Sequence, residues 1–395
     1  MNPRASISVI PAAGLLFVAI WIVVPGPILP LLALSIAARE LSTWLLLIAT
    51  IAALAAVGLR RHRDVRLTLS LVIAAGLLAA LPLAEAALAA RHFDKAMRAA
   101  LGDGFLNEVP ASIRGRWRSR PLAIVDLLRG VDAGDARVTD RIVFAAPDGA
   151  PLTLTVYRPV ASRDLLPAVV QIYGGAWRSG MPGNSAHFAR YLASHGYVVF
   201  AIDYRHAPRW RWPAQLADVR AALAWIRGHA SEQGADATRL ALVGRSSGAQ
   251  LALLAAYEPG AVPVRAVVDY YGPTDLAEGY RHPPRPDPLG VRPILAAFLG
   301  GTPDELPAEY AAASPITYVT RRLPPTLLIH GGRDHIVEPR FSVMLHDRLR
   351  ATGTTSVLLE IPWAEHAFDA IPSGPGAQLG LYFVERFLAW ALTSH

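Results

Sequence analysis

Residues 239–257 read RLALVGRSSGAQLALLAAY: an apolar run ending at Val243, a turn Gly244-Arg245-Ser246-Ser247-Gly248, and a helix-forming stretch Ala249 to Tyr257. A strand, a sharp turn and a helix with serine at the apex would hold that hydroxyl above the edge of a sheet. Strand and helix approach so closely in such a turn that a side chain at 244 or 248 would clash, so glycine is required at both. Glycine and serine are common in ordinary turns, and the meaning of this one rests on its partners.

A serine hydroxyl is a poor nucleophile near neutral pH; it needs a base within hydrogen-bond reach and a carboxylate that fixes the base's tautomer. Asp334, in Gly331-Gly332-Arg333-Asp334, directly follows the apolar strand Thr326 to His330, which places a carboxylate at the carboxyl edge of the sheet. His366, in Ala364-Glu365-His366-Ala367-Phe368, lies just beyond the strand Ser356 to Ile361, and its loop can fold over the same edge. The order serine, aspartate, histidine makes Ser246, Asp334 and His366 the candidate nucleophile, orienting acid and base. His187, His195, His206, His330 and His335 read as structural. Acyl transfer also needs backbone donors for an oxyanion. The loop Tyr173-Gly174-Gly175-Ala176-Trp177 follows a strand, so the amides of Gly175 and Ala176, with that of Ser247, are the expected donors, and Trp177 reads as pocket wall. Arg245, beside the serine, reads as half of an ion pair, the alternative being that it steers an anionic substrate.

Working outward, Val138 to Phe144 and Leu152 to Tyr157 read as an early strand pair joined through Pro147, Asp148 and Gly149. Ala168 to Tyr173, Tyr197 to Ile202, Leu240 to Val243, Val264 to Asp269, Thr326 to His330 and Ser356 to Ile361 follow as short strands. Helices are expected at Ala186 to Ser194, Ala214 to His229, Ser247 to Tyr257, Arg340 to Ala351 and Gln378 to Thr393. The alternation implies an α/β fold, a mostly parallel sheet flanked by helices. The proline-rich stretch 275–325, with a helix at Ile294 to Leu299, is long for one connection and reads as a cap over the site.

Residues 138–395 resemble an α/β-hydrolase of the esterase and lipase type, in its hormone-sensitive-lipase-like and feruloyl-esterase-like branches. Relatives there usually carry His-Gly-Gly-Gly in the oxyanion loop; here Tyr173 replaces the histidine and Ala176 the third glycine, and the backbone donors survive both changes. The segment Asp203-Tyr204-Arg205-His206-Ala207-Pro208 resembles that family's Asp-Tyr-Arg-Leu-Ala-Pro segment, which the resemblance implies is structural support. A Gly-Gly-Ala-Trp loop behind a membrane region is also similar to the isoprenylcysteine methylesterase group in layout.

The front of the chain is different. The chain has 395 residues, 53% of them hydrophobic, and the excess is concentrated before residue 91. Ala5 to Ala38 and Leu41 to Leu59 carry no charge, and Glu85 alone interrupts Leu67 to Ala90. Three membrane-spanning helices are expected at about 5–38, 41–59 and 67–90, with 91–137 as a connector. Arg60, Arg61, Arg63 and Arg66 crowd the second short loop, while Arg39 and Glu40 cancel in the first; this places the arginines in the cytoplasm and the catalytic domain outside a bacterial cytoplasmic membrane. Arg91, Lys95 and Arg98, with Arg114, Arg116, Arg118 and Arg120 in the next stretch, pull the other way.

The formal charge of +7 is almost wholly arginine. Without an aromatic-interleaved basic module it does not point to nucleic acid, though a basic juxtamembrane stretch can touch anionic lipid headgroups. There are no cysteines, so disulfides and thiol catalysis are excluded. No metal-ligand spacing is present and no cofactor is implied. The reading is a membrane-anchored serine carboxylesterase acting on a small-molecule or lipid ester. A serine peptidase or amidase on the same fold, or a catalytically idle membrane-anchored binding module, are the alternatives. The sequence does not fix the oligomeric state.

Overall fold

A computed structural model of the protein describes residues 3–58, 64–162 and 164–393. Eight strands form one sheet: β1 (Ala136–Ala145), β2 (Leu152–Pro159), β3 (Leu166–Ile172), β4 (Val198–Ile202), β5 (Ala235–Arg245), β6 (Ala266–Tyr270), β7 (Thr326–Gly331) and β8 (Ser356–Ile361), in the order β1-β2-β4-β3-β5-β6-β7-β8. β2 runs antiparallel to β1 and β4, and all other neighbours are parallel. Strands of valine, leucine and isoleucine without polar alternation suit a sheet buried on both faces. Val169, Val199, Val243 and Ile329 face one apolar cluster, and Val170, Phe200, Leu242 and Leu328 face the other.

Helices α7 (Ala186–Ser194), α8 (Ala214–His229), α9 (Ser247–Tyr257), α13 (Arg340–Ala351) and α14 (Pro375–Thr393) cover the two faces. Between β6 and β7 the chain forms α10 (Leu276–Arg281), α11 (Val291–Leu299) and α12 (Pro307–Ala312), which lie over the carboxyl edge around β5.

Ahead of the sheet come α1 (Pro3–Ile20), α2 (Leu29–Glu40), α3 (Ser42–Gly58), α4 (Val65–Leu101), α5 (Ala111–Arg114) and α6 (Ile124–Arg129). The expected first span is two helices, because the chain turns between Ile20 and Leu29 where Pro25 and Pro27 stand. α2 and α3 meet at a 72° bend. Among the described residues, α4 is the one helix that is by itself long and apolar enough to cross a bilayer, with mean hydropathy 2.3; α2 and α3 reach that length only together, and Val9–Ile20 is shorter. Arg60, Arg61 and Arg63 of the arginine loop lie outside the described residues.

The connector also departs from expectation. α4 continues without a break to Leu101, since the apolar run ends near Ala90 but an amphipathic face carries on. Phe93 and Met97 on that face are buried with Leu359 of β8 and Phe387 of α14, and the Phe93 ring meets Phe383 edge-on at 5.5 Å. Arg39 and Glu40, expected in an exposed loop, are instead buried against the sheet domain.

Candidate active site

β5 hands over to α9 at Ser246, whose backbone sits at φ 53°, ψ −123°. That conformation costs on the order of 1–3 kcal/mol for a residue with a Cβ. It is held by the Ser246 amide donating to the Tyr270 carbonyl at 2.9 Å, and by the close approach of the flanks. A Cβ on Gly244 would stand 2.3 Å from the Ala249 Cα, and one on Gly248 2.3 Å from the Tyr173 carbonyl oxygen.

The three residues picked from the sequence come together. Ser246 Oγ is 3.0 Å from His366 Nε2, and His366 Nδ1 is 2.7 Å from Asp334 Oδ2. Asp334 Oδ1 accepts from the amides of Ile336 and Val337 at 2.8 and 2.9 Å. Burial by itself would raise this carboxyl, yet the facing rings of His366 and His330 hold it well below the usual carboxylate range. It is an anion placed to keep the histidine proton on Nδ1, leaving Nε2 as the acceptor for the serine proton.

The loop Tyr173 to Trp177 passes directly over the serine: a Cβ on Gly174 would be 2.9 Å from that of Ser246. Ala176 and Trp177 both hold a left-handed backbone, φ 54° and 58°, an unusual state for side-chain-bearing residues. The Trp177 indole donates to Gln250 Oε1 at 2.9 Å and stacks on Phe298 of α11 at 4.3 Å. Tyr173 anchors the other end. Its hydroxyl donates to Asp203 Oδ1 at 2.5 Å and faces His206 Nε2 at 2.9 Å, while its ring stacks on Tyr204. Burial, reinforced by Tyr204 and Asp203, keeps that phenol protonated.

Two cavities meet at Ser246. The larger, about 430 Å³, includes Gly175, Ala176, Arg178, Tyr271 and His366 in its walls. The smaller, about 60 Å³, is apolar and runs under the α10–α11 segment, bounded by Ala176, Trp177, Ser247, Leu276 and Leu295. Gly175 borders the first, Ser247 the second and Ala176 both, so the three residues expected to supply amide donors all lie beside the space at Ser246.

Arg245 is paired, its Nε donating to Asp369 Oδ2 at 2.5 Å. Its guanidinium lies over the rings of Phe188 and Tyr270 at 4.5 and 4.7 Å. Burial works against that charge, but Asp369 outweighs it and raises the Arg245 pKa. The Tyr271 hydroxyl donates to the same Asp369, and its ring lies against His366 at 4.5 Å.

Sequence reasoning missed a second layer. Glu365, next to the candidate base, is buried; it accepts from the His335 amide at 2.6 Å, faces His335 Nδ1 at 2.8 Å, and meets Arg39 at 3.5 Å. The hydrogen bond to Glu365 raises the His335 pKa against the effect of burial. Only the position of Glu365 between Ala364 and His366 hinted at this, since its cation lies 326 residues earlier. His330, read as structural, proves to face Asp334, with Nε2 3.3 Å from Oδ2. Among the described residues no group of three or more histidines and carboxylates is placed to hold a metal ion.

A mostly parallel sheet with antiparallel β2, and a serine on the turn after β5, is the α/β-hydrolase arrangement. The BD-FAE family model matches residues 154–349. "Probable carboxylic ester hydrolase LipM" of Mycobacterium tuberculosis is 31% identical over 363 residues, which are 84% of this chain and 79% of LipM. Esterase LipC of the same organism is 33% identical over 240 residues, 56% of this chain and 58% of LipC. The propionate-bound structure of a thermophilic esterase from Thermogutta terrifontis superposes with a TM-score of 0.54 at 25% identity, covering 65% of this chain and 95% of that one. The chain belongs to the α/β-hydrolase esterases.

Proposed function

We propose that the protein is a membrane-anchored serine carboxylesterase with Ser246 as nucleophile, His366 as base and Asp334 as orienting acid. The observation that carries this reading is the continuous hydrogen-bonded line from Ser246 Oγ through His366 to Asp334, ending where the two cavities meet. Ser246 Oγ attacks the ester carbonyl carbon while His366 Nε2 takes its proton, and the carbonyl oxygen becomes an anion facing the amides of Gly175, Ala176 and Ser247. Collapse of that intermediate breaks the bond to the alcohol oxygen, which leaves with the proton from His366. Water, deprotonated by the same nitrogen, then attacks the acyl-serine and releases the acid.

The apolar slot of about 60 Å³ holds the acyl group, which limits it to a short chain, and the larger cavity holds the alcohol. The membrane anchor is supported by α1, α3 and α4. These helices touch through small residues such as Ala12, Ala49, Ala79 and Gly76, and turn Phe17, Ile51, Leu54, Ile73 and Leu77 outward. Small residues inside and large apolar ones outside is the pattern of helices packed in lipid. The hydrolase domain would lie on the side opposite the arginine loop, outside the cytoplasmic membrane.

Fluorophosphonate labelling of membranes carrying the wild type and Ser246→Ala tests the mechanism. Labelling of the wild type alone is expected; equal labelling of both, or none of a folded wild type, would remove Ser246 from the chemistry and favour the idle-module reading. A series of p-nitrophenyl esters tests the slot: acetate to butyrate should be cleaved in preference to decanoate.

A further inference from the structure

Resting on that esterase reading, we infer that the larger cavity opens on the bilayer-facing side of the hydrolase domain and takes the alcohol portion of its ester from the lipid phase. Three attachments tie the walls of that cavity to the helices ahead of the sheet. α6 packs against α3, and the chain leaving α6 supplies Val131 to the cavity wall, where its amide donates to the carbonyl of Pro372, another wall residue. The amide of Gly376, at the start of α14, donates to Glu40 at 2.9 Å, one residue from the wall residue Ala377. Arg39 reaches Glu365, the neighbour of His366. The corner between α2 and α3 thus backs the same walls that surround the serine.

α6 completes the surface. Ile124 and Val125 are 76% and 62% exposed on a helix that adjoins α3, so their apolar area continues that of the spanning helices. Exposed Arg114, Arg116, Arg120 and Arg129 flank them. An apolar tip bordered by cations is the make-up of an element that rests in the headgroup region of an anionic membrane. The segment is fixed to the wall, because Arg118 and the Ala123 amide both donate to Gln378 of α14. The occupant of this surface is the bilayer, and the substrate is a short-chain acyl ester of an amphiphilic alcohol dissolved in it.

The test uses the full-length protein in vesicles of phosphatidylcholine and phosphatidylglycerol, with hexadecyl acetate in the lipid and p-nitrophenyl acetate in the water. The doubly substituted Ile124→Ser, Val125→Ser protein changes two exposed side chains that do not border the cavity. Its kcat/KM should fall about tenfold on hexadecyl acetate and stay within about twofold on p-nitrophenyl acetate, given the apolar area withdrawn from lipid. Equal loss on both substrates, no loss on either, or a wild type that cleaves only the soluble ester would overturn the inference while leaving the esterase intact. A wild type that cleaves neither in a Ser246-dependent way would overturn the esterase reading itself.

Discussion

The hydrolase sheet and the helices ahead of it are both apolar, yet they differ in where their large apolar side chains go. In the sheet domain the large side chains Phe200, Trp363, Phe368 and Phe387 are inside. In the helical region alanines such as Ala19, Ala75 and Ala79 are inside, while Ile10, Phe17, Leu54 and Leu77 are outside. Water drives large apolar groups inward; on the proposed membrane-anchored reading the helices would sit in hydrocarbon, where that drive is gone and close packing of small residues decides which face is buried. The two regions meet at Arg39 and Glu40, whose side chains are buried among groups of the hydrolase.

The largest effect that separates the regions is chemical. Asp334→Asn should lower kcat on a soluble ester by about 10⁴-fold by mis-setting the tautomer of His366, with insertion of α1–α4 unchanged in a membrane-fraction assay. Equal activity would detach Asp334 from the mechanism.

The junction comes next. Arg39→Met removes one of the two side chains that face buried Glu365 and leaves His335 as the other, which should cost about 1–3 kcal/mol and appear as a lower melting temperature of the whole protein. Adding Glu365→Leu should recover part of the loss in a double-mutant cycle. Additive effects would mean that the two regions are not coupled there.

A direct contrast follows from placing the same residue on both surfaces. Leu77→Asp on α4 should cost about 2.5–3.5 kcal/mol of insertion, while Val143→Asp, at an exposed site on β1, should stay within about 0.5 kcal/mol. Equal tolerance at the two sites would show that α4 faces water.

The smallest effect is in acid. Because the folded state holds Asp334 below its ordinary pKa, its contribution to stability is present above about pH 4 and is lost as pH falls through and below that value. The melting-temperature difference between wild type and Asp334→Asn should therefore shrink from pH 7 toward pH 3. A difference independent of pH would contradict the depressed pKa.

Much of the sheet domain is legible in the sequence because local chemistry and tertiary packing agree there. α7, α8, α9 and α13 have the bounds read from the sequence, and β7 and β8 follow from apolar runs ended by turns. The candidate site reads equally well, since each residue sits at the end of a strand and their order is diagnostic. What is illegible involves partners distant along the chain. Nothing near Arg39 signals Glu365, and two adjacent opposite charges look like a solvated loop. Hydropathy falls at Ala90 although α4 runs on, because its next turns are amphipathic and bury Phe93 and Met97 against β8 and α14. The start of β5 at Ala235 is likewise hidden behind the polar residues Asp236, Thr238 and Arg239.

The unbroken course of α4 bears on how the chain can be cut for handling. A soluble fragment beginning at Arg91 follows the hydropathy boundary, yet it removes Ala86 and Ala89 from the apolar cluster around α14 and strips Arg39 from Glu365. Such a fragment leaves part of the apolar cluster around α14 uncovered, a surface prone to self-association in concentrated solution. The full-length chain, which keeps these contacts, is the preparation whose kinetics describe the native enzyme.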